Sequence, residues 1–172
     1  MKIWFRYISL VLVVASLTAC GYQLRGRGTF LPPQIKKVCV PVFKNSSGRY
    51  ELDLKLTKSV IDELVSRTGV VIEPDRDRAD GVLTGEITSF KVEPIDVSEV
   101  GAARRYKITI STKVVFTDLV DQKIIFSNDN FNYVDNYDVP EGVDYETAET
   151  QAIDRLAGKY AQQLVVSLLE GF

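Results

Sequence analysis

Apolar positions recur along this chain at two periods, and the order in which the periods alternate predicts the fold. Between Lys37 and Phe43, Val38, Val40 and Val42 stand at every second place, the spacing of a strand with one covered face. Pro41 lies inside that run and cannot donate to a ladder, which places an edge or a bulge there. A turn is expected at Asn45-Ser46-Ser47-Gly48. From about Tyr50 to Arg67 the period lengthens. Leu52, Leu56, Val60, Ile61, Leu64 and Val65 are spaced as one face of a helix, and Gly69 supplies its stop. Val70 to Glu73 reads as a brief extension, and residues 74–80 as polar turn.

Three strand-like segments follow. The first, from about Gly81 to Glu93, sets Leu83, Gly85 and Ile87 against Thr84, Glu86 and Thr88, and changes phase near Ser89-Phe90, where a bulge is expected. Residues 96–104, with Gly101, read as a projecting loop. In the second segment Tyr106, Ile108, Ile110, Val114 and Phe116 face one way, while Arg105, Lys107, Thr109, Ser111 and Lys113 face the other, so one side packs and one is wet. The third, about Gln122 to Tyr133, follows a short turn at residues 118–121 and pairs as a hairpin. A final helix is capped by Asp144 and carries Glu146 and Glu149 near its positive end. Its apolar stripe is Ala148, Ala152, Leu156, Tyr160, Leu164 and Leu168, flanked by Ile153, Ala157, Ala161 and Val165. The order β-α-β-β-β-α predicts an α+β two-layer sandwich, with two helices packed on one face of a four-stranded, mostly antiparallel mixed sheet.

The N-terminus has a different pattern. Lys2 and Arg6 precede a nearly unbroken apolar run from Ile8 to Leu17, which is too short to span a bilayer, since a spanning helix takes about 20 residues. The layout is that of a secretory signal, and Leu17-Thr18-Ala19-Cys20 has the form of a lipobox. Cleavage before Cys20 leaves a diacylglycerol on its sulfur and an acyl chain on its amine, and two or more chains anchor stably. Gly21, where an aspartate would hold a lipoprotein in the inner membrane, points to the outer membrane with the protein facing the periplasm. Residues 1–19 are thus expected to be a cleaved signal peptide, residues 20–34 a lipidated tether marked by Gly26, Gly28, Pro32 and Pro33, and residues 35–172 a single domain.

Charge and composition narrow the chemistry. Loss of Lys2 and Arg6 with the signal takes the formal net charge from −2 to −4, a balance that gives no support to nucleic-acid binding. With Cys20 lipidated, Cys39 in Val38-Cys39-Val40 is the one remaining thiol and reads as a small buried hydrophobe. The chain has no histidine, which excludes Ser-His-Asp and Cys-His catalysis and histidine-bearing zinc sites. A carboxylate pair remains formally open, but Asp75, Asp77 and Asp80 alternate with Arg76 and Arg78 as a solvated turn would. Lys58-Ser59 falls on the polar face of a helix. No catalytic residue, metal ligand or non-covalent cofactor is expected.

The run Cys20-Gly21-Tyr22-Gln23-Leu24-Arg25-Gly26 resembles the start of the mature LPS-assembly lipoproteins of the LptE family, also called rare lipoprotein B. The likeness continues through Ile35-Lys36-Lys37-Val38, Val40-Pro41-Val42-Phe43, Asn45 and Arg49-Tyr50, and the element order is that family's. The resemblance implies a non-enzymatic outer-membrane lipoprotein that associates with the β-barrel LptD, sits partly in its lumen as a plug, and assists lipopolysaccharide insertion. It also implies lipopolysaccharide binding, whose phosphates need cations. Arg104, Arg105 and Lys107 at the start of the wet-faced strand are the candidates, ahead of Arg25, Arg27, Lys36 and Lys37 near the tether, because arginine pairs bidentately with phosphate.

A regulatory lipoprotein that activates a cell-wall synthase is the alternative, since the Val-Pro-Val-Phe-x-Asn start is similar to that of such activators and of curli-channel lipoproteins. The residues after the lipobox favour the translocon, and a curli-type channel needs a longer chain. A hydrolase is disfavoured by the missing histidine.

Overall fold

A computed structural model of the chain describes residues 31–97 and 103–170. The lipobox, Cys20 and the tether up to residue 30 lie outside the described residues, as does the centre of the expected loop at 98–102. The elements are β1 (Lys37–Cys39), β2 (Lys44–Asn45), α1 (Leu52–Thr68), β3 (Val71–Ile72), a single 3-10 turn (Arg76–Arg78), β4 (Gly81–Val97), β5 (Ala103–Asp118), β6 (Lys123–Asp138) and α2 (Tyr145–Glu170). The two-layer α+β arrangement is as expected, but the sheet has six strands where four were expected, in the order β3-β1-β4-β5-β6 with β2 also along β4.

Both extra strands have a local cause. Pro41 divides the first strand, so β1 and β2 run parallel to β4 as separate pieces, with Val38 opposite Gly81 and Asn45 opposite Ile87. The break also turns the chain: Val38 and Val40 are buried as the alternation requires, whereas Val42 is 56% exposed and Phe43 takes the inward place. The brief extension after α1 is β3, a parallel edge strand beside β1 with Lys37 opposite Val71.

β4, β5 and β6 form a long antiparallel meander. The expected bulge is present as a register shift between Ile87 and Ser89. The loop expected over 96–104 is shorter, because the ladder continues to Val97 opposite Ala103. β6 likewise runs on to Asp138: Phe131, Tyr133 and Tyr137 keep turning inward among asparagines and aspartates that would otherwise suggest a turn.

The helices cover one face of this sheet. α1 stops where Gly69, at φ 72°, donates its N–H to the Val65 carbonyl at 2.9 Å, and α2 starts where Asp144 accepts the Thr147 N–H at 2.9 Å. Leu52, Leu56, Val60 and Leu64 of α1 and Leu156, Tyr160, Leu164 and Leu168 of α2 bury against Leu83, Ile87, Ile108, Ile110, Val114 and Phe116. Each such side chain contributes about 1.5–3 kcal/mol over its exposed state. One polar pair crosses this core: the hydroxyls of Thr112 and Tyr160 lie 2.9 Å apart, both buried. Thr112→Val should therefore cost about 1–3 kcal/mol, because it strands the Tyr160 hydroxyl. Adding Tyr160→Phe should recover most of that loss in a chemical-denaturation cycle, since removing both partners avoids the unpaired group.

Candidate partner-binding surfaces

Among the described residues, the two layers leave the second face of the sheet uncovered. Along β5 that face carries Arg105, Lys107, Thr109, Ser111 and Lys113, as the alternation predicts. Most of its charges are matched across neighbouring strands, while Lys91, opposite Thr109, has no ion pair among the described residues. Lys44 pairs with Glu86 at 2.9 Å, Lys107 with Glu93 at 2.8 Å, Lys113 with Asp129 at 2.7 Å and Arg105 with Asp138 at 2.8 Å. In two of these exposed pairs lysine favours the ionised acid: the Lys44 hydrogen bond draws Glu86 below its ordinary pKa, and Lys107 does the same for Glu93. Ser111 donates to Asn132 at 2.7 Å between them. The result is a long, mostly polar wall whose charges are largely paired, with Val134 exposed among them.

The three cations picked from sequence do not converge. Arg105 and Lys107 share the open face and are both committed to acids, whereas Arg104 has the strand parity of Tyr106 and Ile108 and so belongs to the helix side. Arg104 is exposed and makes no ion pair among the described residues, while its carbonyl accepts the Val139 N–H at 2.8 Å.

On the helix side beside Arg104 lies a group the sequence reading did not pick out. Tyr106 stacks on Tyr137 at 5.4 Å and meets Tyr145 edge-on at 5.0 Å. Burial pushes the Tyr137 phenol well above its ordinary pKa, and that of Tyr133 up to about 12. Next to them Glu149 is 5% exposed and is held by Arg49 at 3.0 Å, with the Arg49 guanidinium 5.8 Å above the Phe90 ring. Glu149 was expected to serve the helix dipole alone. The signal that it does more is its place beside Ala148 on the apolar stripe of α2, where a carboxylate requires a partner.

The candidates for catalysis have structural occupations. Asp75 caps the 3-10 turn by accepting the Asp77 N–H. Asp80 accepts the N–H groups of Lys36 and Lys37 at 2.9 and 2.8 Å, and those bonds draw its carboxyl below the ordinary range. Lys58 pairs with Asp62 at 2.7 Å along α1. Burial raises the pKa of the Cys39 thiol, which disfavours the reactive thiolate. Among the described residues no three His, Cys, Asp or Glu side chains are grouped to hold a metal, and no helix is long and apolar enough to cross a membrane.

These features define a two-layer α+β domain with a mostly polar open sheet face and a largely buried aromatic cluster at one end of its helix side. The family described as LptE, lipopolysaccharide-assembly, matches residues 35–168, and the chain belongs to it. Similar folds occur in an uncharacterized lipoprotein B from Nitrosomonas europaea, at 13% identity and TM-score 0.54, covering 87% of this chain and 88% of that one. A protein from Xanthomonas campestris is similar at 14% identity and TM-score 0.55, covering 82% and 90%. A hypothetical protein from Chlamydia trachomatis is similar at 11% identity and TM-score 0.53, covering 78% and 96%. At these identities the likeness shows the fold alone. Comparison with curated protein sequences gave no match.

Proposed function

We propose that this member of the LptE family is an outer-membrane lipoprotein, anchored by diacylglycerol and an acyl chain on Cys20, that lodges in the lumen of an LptD-type β-barrel and assists lipopolysaccharide assembly. Its role is positional and not catalytic. The observation that carries the reading is the open sheet face. A domain seated in a wide barrel must present a polar exterior to a polar, hydrated inner wall, and a strand face built mostly of threonine, serine, asparagine and ion pairs, with Lys91 a cation on it that has no ion pair among the described residues, leaves little net charge for the wall to match.

Arg104, Arg105 and Lys107 remain the candidates for lipopolysaccharide phosphate, with Arg104 the cation not already committed to an acid among the described residues. The double reversal Arg104→Glu, Arg105→Glu should weaken lipopolysaccharide binding by the purified protein by about tenfold or more, given roughly 1.5–3 kcal/mol for each charge-assisted contact. Circular dichroism should stay unchanged, because both side chains are exposed. Unaltered binding would remove these residues from the account.

A further inference from the structure

α1 carries two apolar stripes, and the core uses one of them. Leu52, Leu56, Val60 and Leu64 are buried. Lys55, which pairs with Asp154, marks the side turned to α2. About a quarter to a third of a turn away from Lys55, Leu54, Ile61 and Val65 lie along the outer flank with Lys58 among them. Leu54 is 54% and Val65 38% exposed, and Ile61 is only partly covered. Tyr50, just ahead of the cap residue Glu51, is 84% exposed at the same end of the helix as Leu54.

Single exposed apolar residues are ordinary. The order of the residues on this flank is not, because it is close to symmetric about residue 60. Lys58 and Asp62 stand two places to either side of that point, Leu54 six places before it and Val65 five after, with Ile61 next to it. Lys58 and Asp62 lie 2.7 Å apart with both side chains largely in solvent. A second α1 laid antiparallel across the midpoint meets Leu54 with Val65 and Lys58 with Asp62, each contact made twice, and sets Ile61 beside its own copy. Tyr50 then falls next to Gly69 of the second copy, where a side chain would find open space. A parallel pair would instead set lysine against lysine and aspartate against aspartate, so the charges select the antiparallel one.

We propose that the outer flank of α1 is a docking surface for a second copy of this chain, paired antiparallel about residue 60. Leu54, Ile61 and Val65 supply the apolar contact, and Lys58 and Asp62 fix the register. A helix of 17 residues is about 25 Å long, too small to bury the roughly 800 Å² per partner of a stable complex, so the pair is weak in solution. Copies anchored to one membrane face each other at a raised effective concentration. The flank belongs to the helix layer and leaves the open sheet face free. The inference does not rest on the barrel reading, and pairing belongs to copies outside a barrel.

Nuclear magnetic resonance on the chain from residue 20, made soluble by Cys20→Ala and concentrated to about 1 mM, tests it. Concentration-dependent shifts at residues 54–65, with β5 unmoved, are the expected result. Spectra that do not change, or shifts centred on another surface, overturn the proposal. Lys58→Asp and Asp62→Lys should each weaken self-association by about tenfold or more, because the first brings four acids to the crossing and the second four lysines. Circular dichroism should stay unchanged, since both side chains are exposed. A mixture of the two variants should associate at least as tightly as the parent, as acids then meet lysines. A mixture that pairs no better than its components overturns the proposal.

Discussion

Gly85→Ala is expected to lower stability by about 3 kcal/mol, a large effect for one methyl group. A Cβ at Gly85 would come within 2.6 Å of the Phe43 ring, far inside van der Waals contact. The ring has little room to yield. Phe43 is almost wholly buried, its N–H is held by the Thr57 hydroxyl at 2.9 Å, and the neighbouring β2 is registered on β4 through Lys44 opposite Glu86. Gly85 therefore exists to let an aromatic ring close the gap left where Pro41 breaks the first strand. Urea titration should show a lower midpoint for Gly85→Ala at unchanged slope, and Gly85→Ala with Phe43→Leu should recover part of the loss. An unchanged midpoint for the single variant would mean that the ring is not packed on this glycine.

Cys20→Ala should abolish membrane attachment altogether. Each buried methylene of an acyl chain contributes about 0.8 kcal/mol, and stable anchoring takes more than one chain, so a protein with none has no comparable hold on the bilayer. Fractionation should move the variant from membranes to the soluble periplasm. Its unfolding midpoint should stay close to that of the parent, because the substitution is expected to remove the acyl chains that enter the bilayer and to leave the core from Leu31 to Leu169 with its own side chains unchanged. Retention in the membrane fraction would show that another segment provides the anchor.

The sequence made the layers legible because most elements are long and strongly periodic. The alternation of Tyr106, Ile108, Ile110, Val114 and Phe116 against charged and hydroxyl residues specified β5 and both of its environments, and the stripe from Ala148 to Leu168 specified α2. Short parallel strands were harder. β2 and β3 are two residues each, too few for a period to declare itself, and they exist because their neighbours β4 and β1 supply partners. The end of β6 was obscured for a different reason. Asparagine and aspartate favour turns locally, yet Tyr133 and Tyr137 pack inward and hold that stretch in the sheet, so tertiary burial overrides local preference.

The candidate surfaces show the same division. That β5 carried cations on a wet face was readable, but the acids that neutralise them were not, since Glu93, Asp129 and Asp138 are brought opposite only by register across bulges. Arg104 and Arg105 are neighbours in sequence and were grouped for that reason, although strand parity puts them on opposite faces. The Arg49–Glu149 pair joins residues a hundred positions apart, and only the packing of the turn before α1 against the first turns of α2 brings them together.

The central claim is that the uncovered face of the sheet lies against the inner wall of a barrel. Photo-crosslinking residues at Thr109, Ser111 and Asn132 on that face, in the lipidated protein in intact outer membranes, test it most directly. The account predicts a single heat-modifiable β-barrel product from all three positions, and none from a crosslinker placed at the buried Leu164. Capture of a peptidoglycan synthase from the same positions, with no barrel product, would contradict it and favour an activator of cell-wall synthesis.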